Sequence, residues 1–154
     1  MDSFTGSPSL NVVTTPQPVT NTTDQSQALV AFNVNAQVPL KLTSNNYAAW
    51  RVQFNSLLYG YNLFGFVDGT TPCPPKTITP DGTTVPVPNP AHLYWFRQDQ
   101  LLLNAIVGSL TPTLVPFVSA SKTFHEAWET LCKAYATLSR SHSTTLYPIE
   151  SSKI

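Results

Sequence analysis

The sequence predicts an all-α fold: a small bundle of four to five helices with a Pro-rich insertion and a disordered N-terminal tail. Three observations carry this. Aromatic and aliphatic residues recur at three- and four-residue steps around Trp50, Trp95 and Trp128, the spacing that lines one face of a helix. Pro72, Pro74, Pro75, Pro80, Pro86 and Pro88 crowd between Thr70 and Asn89 and exclude a helix there. Residues 1–37 are rich in Thr, Ser, Asn, Gln and Pro without a sustained period, so they bury too little apolar surface to offset the entropy of ordering. The implied organisation is a tail over 1–37, a helical domain over 38–141 with the Pro-rich loop at 70–89, and an irregular C-terminal tail over 142–154.

The first helix is expected from about Asn46 to Tyr59. Thr43, Ser44 and Asn45 offer N-cap side chains. Tyr47, Trp50, Phe54, Leu57, Leu58 and Tyr61 form its apolar stripe, and Gly60 is the expected left-handed cap. A short apolar piece, Leu63 to Val67, ends at the turn signal Asp68-Gly69. Within the Pro-rich stretch, Asp81-Gly82 between Ile78 and Val85 is compatible with a hairpin, at an edge at best.

Asn89-Pro90, a capping residue followed by proline at the first helical position, opens a second long helix to about Ser109. Leu93, Trp95, Phe96, Leu101, Leu102, Leu103, Ile106 and Val107 cover more than one of its faces, which predicts a central position. A short helix restarts after Thr111-Pro112 and reaches about Val118. The last opens with Thr123-Phe124-His125-Glu126, a capping-box pattern. Phe124, Trp128, Leu131, Tyr135 and Leu138 form its expected buried stripe, and the pattern stops after Ser141. One tryptophan per long helix makes Trp50, Trp95 and Trp128 the expected core pivots.

Composition narrows the function. Eight basic and eight acidic residues give zero formal net charge, and only 10% of residues are charged. Seven Lys/Arg against five Asp/Glu between Leu40 and Ser141 do not make a basic surface, so direct nucleic-acid binding is not expected. A weakly charged surface instead tolerates protein association. The N-terminus lacks the basic and apolar regions of a signal peptide. The longest apolar run, Leu101 to Val107, is broken by Asn104 and too short to span a membrane. A cytoplasmic protein with reduced thiols is the expectation.

No catalytic, cofactor or metal constellation emerges. Cys132 and His125 lie two turns apart on one helix, about 10 Å of rise, too far for a direct hydrogen bond. Cys73 lacks a basic neighbour in sequence to activate it. His92, His125 and His142 have no partner at metal-ligand spacing. Gly60, Gly65 and Gly69 do not form a phosphate loop. Arg97 and Asp99 in the second long helix read as a structural pair or a solvated strip, and nothing in sequence brings Asp99 to Glu126. The aromatic residues lack the basic groove of a stacking platform and read as core.

Five ordered blocks carry a resemblance. They are Leu42-Thr43-Ser44-Asn45-Asn46-Tyr47-Ala48-Ala49-Trp50, Gly60-Tyr61-Asn62-Leu63-Phe64-Gly65-Phe66-Val67-Asp68-Gly69-Thr70, Pro72-Cys73-Pro74-Pro75, Trp95-Phe96-Arg97-Gln98-Asp99-Gln100 and Ala127-Trp128-Glu129-Thr130-Leu131. In this order the chain resembles the Gag polypeptide of plant Copia-type LTR retrotransposons, over roughly Leu40 to Ser141. The resemblance implies a non-enzymatic, capsid-like helical protein whose partners are itself or other Gag chains. It also marks Asn46, Tyr47, Trp50, Gly60, Gly65, Asp68, Gly69, Trp95, Asp99, Gln100, Trp128 and Leu131 as fold-defining positions. Gag of this type continues into further helices and a Cys/His zinc knuckle, which this sequence does not show. A capsid-like fragment acting by self-association is therefore expected, with a host-recruited protein- or peptide-interaction module as the alternative.

Overall fold

A computed structural model describes residues 28–145, with side chains through Leu138. The expected tail over 1–27 and the last residues, 146–154, lie outside the described residues. Six helical segments follow in order: α1 (Val34–Gln37), α2 (Tyr47–Gly60), α3 (Gly65–Asp68), α4 (Pro90–Gly108), α5 (Val115–Val118) and α6 (Phe124–Thr145). Strands β1 (Thr77–Ile78) and β2 (Val87–Pro88) pair antiparallel between α3 and α4. The three long helices build the bundle, and α6 is packed by α3, α4 and α5.

The aromatic periodicity of α2 and α6 becomes the core. Trp50, Phe54 and Leu58 are buried on α2, and Phe124, Ala127, Trp128, Leu131 and Tyr135 on α6. The rings of Trp50 and Trp128 sit 5.6 Å apart, with Phe54 and Phe124 completing the cluster at 5.4 to 6.1 Å. Separations of this size suit tilted and offset ring pairs, which add to the burial itself. The α2–α4 junction has a polar node: the Trp50 indole donates to Ser109 Oγ at 3.1 Å, and Ser109 donates to the Ile106 carbonyl at 2.7 Å. Beside it, Leu42 N donates to Ser109 O and Thr111 N to Leu42 O, a single parallel bridge that fixes the entry into α2.

Several expectations are corrected. Gly60 is the last helical residue of α2, not its left-handed cap; Asn62, at φ 57°, takes the left-handed position. Asparagine tolerates that region because its short side chain can bond locally. None of Thr43, Ser44 and Asn45 caps α2, whose N-cap is Asn46 without a side-chain cap bond. The Thr43 hydroxyl instead donates to Asn45 Oδ1 at 2.9 Å. Trp95 is half-buried rather than a core pivot. It stacks on Phe66 at 5.5 Å and donates to the Thr71 carbonyl at 2.8 Å, anchoring the Pro-rich loop. The centrality of α4 holds for its C-terminal half, where Leu102, Ala105 and Ile106 are buried, while Leu93 and Phe96 are exposed. Leu138 is 50% exposed and leaves the α6 stripe, and α6 continues to Thr145, past the expected stop at Ser141.

The Pro-rich insertion forms a hairpin of two residue pairs, all exposed. Its turn carries Gly82 at φ 78°. Asn89 ties it to α4: its side chain accepts from Ala91 N at 3.1 Å, capping α4, and donates to Pro75 O at 2.7 Å.

Candidate functional site

Three consecutive α4 residues, Gln98, Asp99 and Gln100, do the joining that apolar packing does not. Asp99 is 1% exposed, and its Oδ1 accepts from Phe124 N, at the first residue of α6, at 3.1 Å. The carboxylate thereby satisfies one of the free donors at a helix N-terminus. Gln100 donates to Asp99 Oδ2 at 3.3 Å and to Lys122 O at 3.0 Å. Burial pushes the Asp99 carboxyl above its ordinary range, against the lowering effect of the Phe124 and Gln100 hydrogen bonds. The capping box forms by halves. Thr123 Oγ1 accepts from Glu126 N at 3.2 Å, but Glu126 reaches Lys122 N, at 2.7 Å, rather than Thr123 N. Arg97, one residue before Gln98, is exposed, so Arg97 and Asp99 do not share one strip.

The second feature was not foreseen. Residues 28–37, assigned to the tail from sequence, lie as a strap across the bundle and hold it through side-chain amides. Gln98, fully buried, accepts from Val30 N at 2.8 Å and donates to Val30 O at 3.0 Å. Past the strap, Gln53 does the same to Leu40 in the segment that leads into α2, at 3.2 and 3.3 Å. Asn46 accepts from Thr43 N at 2.7 Å and donates to Lys41 O at 2.8 Å. Phe32 meets the Tyr61 ring edge-on at 5.4 Å, and Gln37 donates to Tyr61 Oη at 2.8 Å. The signal that could have found the strap is the alternation Val30, Phe32, Val34, with Ala31 and Asn33 exposed between them.

Of the remaining family positions, Tyr47 stacks on Tyr135 at 4.5 Å, and its hydroxyl lies 3.0 Å from Cys132 Sγ. Burial, then the Cys132 thiol, pushes the Tyr47 phenol well up. Tyr135 Oη donates to the Thr43 carbonyl. Asp68 accepts from both the N–H and the hydroxyl of Thr70, which hold its carboxyl below the usual range, and Gly69 follows at φ 80°. A Cβ on Gly65 would lie 2.1 Å from Thr71 Oγ1, so the loop closes over this residue. Trp128 and Leu131 are buried on α6.

Among the described residues, reactive groups are not assembled into a catalytic unit. His125 Nδ1 lies 2.9 Å from Val67 O, while Cys132 faces Tyr47. Folding does bring His92 to Cys73, with Nδ1 3.4 Å from Sγ, a neighbour that the sequence did not reveal. That same nitrogen is 2.9 Å from Pro74 O. Donating its proton to the carbonyl leaves it unable to take one from the thiol. Among the described residues, no group of three or more His, Cys, Asp and Glu could hold a metal ion, and no helix is long and apolar enough to cross a membrane.

Comparison with known proteins agrees with the motif order. The family model of the Gag-polypeptide of LTR copia-type matches residues 36–75, from the strap's end into the Pro-rich loop. Over 115 residues, 75% of the chain, it is 46% identical to the Retrovirus-related Pol polyprotein from transposon RE2 of Arabidopsis thaliana, and 44% identical to that from transposon RE1. The chain belongs to the Copia-type Gag polypeptides. This Gag chain spans 8% of the length of each of these relatives. No solved structure matches it. Membership supports a Gag-like structural role, in keeping with a site built of packing and main-chain hydrogen bonds.

Proposed function

We propose that this chain is a non-enzymatic, capsid-like structural protein that works in the cytoplasm by associating with further copies of itself or with other Gag chains. The observation that carries the reading is the uncovered apolar face of a Gag-type helix. On α4, Leu93 is 58% and Phe96 49% exposed, one turn apart and therefore on one side. Burying such a patch against another chain is favourable, and zero formal net charge opposes it with little long-range repulsion. Direct nucleic-acid binding is not part of the function, since that requires a basic surface.

Sedimentation velocity of the full chain over a concentration series tests this. Association that grows with concentration and weakens in Leu93→Ser/Phe96→Ser is the expected result. A monomer at every concentration would overturn it and favour the second reading, a host-recruited protein- or peptide-interaction module. That reading draws on the groove beside α4, about 1040 Å³ in volume and lined by Leu93, Tyr94, Trp95 and the first strap residues.

A further inference from the structure

The strap and its cradle invite a question that the helices do not: why a fully buried side chain recognises only main-chain atoms. Both polar ends of the Gln98 amide are satisfied by the N–H and C=O of Val30, a residue 68 positions away. With the strap gone, both ends of that amide lose their main-chain partners and the apolar surface under Val30, Phe32 and Val34 returns to water. The cradle therefore calls for a peptide that is extended at Val30, ahead of α1. It holds that one residue by its main chain, as an added strand is held, and takes its apolar side chain with those that follow. Val30, Phe32 and Val34 supply those side chains, all packed against the core.

We propose that this cradle is a peptide-binding site that accepts residues 28–38 from a second copy of the chain, so that adjacent copies exchange straps. The proposal deepens the self-association reading above and takes the identity of the occupant from it. Exchange keeps the Gln98 clamp and changes the path of the chain at Pro39, which is exposed, while Leu40 stays on its own bundle, held at N–H and C=O by Gln53. Such swapping of an identical element is a low-cost route to association. At its other end the strap borders an open groove, lined by Ala28, Leu29 and Val30 on one side and α4 on the other. A tethered strap competes at an effective concentration of about 1 mM. In dilute solution each chain holds its own strap; in a packed assembly, where neighbours reach that concentration, exchange takes over.

The test uses a fluorescent peptide spanning residues 28–38 and dilute full-length protein, read by anisotropy. Val30→Pro removes the N–H that Gln98 accepts. Phe32→Ala loosens the strap without touching a hydrogen bond and guards against misfolding of the first variant; helical circular dichroism checks both. Each is expected to bind the peptide about tenfold more tightly than the wild-type chain, whose own strap blocks the site. Adding Gln98→Met should reverse that gain, and Gln98→Met alone should weaken the concentration-dependent association of the full chain. Folded variants that fail to bind the peptide, or binding indifferent to Gln98→Met, would overturn the site while leaving self-association standing. Peptide binding by a full chain that stays monomeric at every concentration would overturn the second copy as occupant, together with the proposed function.

Discussion

The aromatic core between α2 and α6 and the strap over α4 occupy neighbouring parts of one small bundle, yet the forces that hold them differ. In the core, Trp50, Phe54, Phe124 and Trp128 touch ring to ring and are 3% exposed or less. Its stability comes from removing large apolar surfaces from water. In the strap, Val30 packs against the core and is also gripped at N–H and C=O by the buried Gln98. Such hydrogen bonds add little net stability but are costly to break in a buried place. The core is therefore where the fold's energy lies, and the strap is where its register is set.

The sharpest way to break the comparison is to delete a pivot. Trp50→Ala or Trp128→Ala should cost about 3–5 kcal/mol, a large part of a small domain's stability, measured by urea denaturation. Trp95→Ala should cost clearly less, because that ring is half-buried over the loop; an equal loss would mean that the core extends to the hairpin.

The Asp99 junction lies between the two regimes. Asp99→Ala strands Phe124 N at a buried helix start and should cost about 1–3 kcal/mol. Asp99→Asn keeps an acceptor for Phe124 N and removes the charge. Because burial raises the folded carboxyl above its unfolded value, the wild-type residue contributes most in acid, below the unfolded value. That contribution is lost as pH rises through the folded one. At neutral pH Asp99→Asn should therefore be at least as stable as wild type, and its advantage should fade as acid protonates Asp99. Melting temperatures of both proteins across the acid range check this; a gap that widens in acid would refute it.

Smaller still, Gln98→Met should cost about 1–2 kcal/mol for two lost neutral hydrogen bonds, and speed amide exchange in the strap before the core. The smallest effect has the opposite sign. Gly60 is helical and a Cβ there meets nothing within 4 Å, so Gly60→Ala should stabilise by about 0.4–1 kcal/mol. A loss would return Gly60 to the cap role expected from sequence.

Much of this was legible beforehand because helices and their apolar faces are periodic. The α2 and α6 stripes, the Asn89-Pro90 start and the loop prolines each announce themselves within a few residues. The amide clamps do not. Gln98 is an ordinary polar residue in sequence, and its partner Val30 lies in a stretch whose composition resembles a tail. Asp99 shows the same limit, since its partner is the first residue of another helix. Cys73 and His92 meet only after the loop folds back.

Sequence by itself determined the helical class, the aromatic core of α2 and α6, the Pro-rich interruption and the Copia-type Gag motif order. These are properties of local spacing and residue type, and each is set by neighbours along the chain. Tertiary structure decided which buried polar groups are satisfied and by what. It placed Gln98 on Val30, Asp99 on the start of α6, and the left-handed turn at Asn62 instead of Gly60. Those outcomes depend on distances between segments far apart in sequence, where a hydrogen bond forms only once the bundle has brought its two halves together.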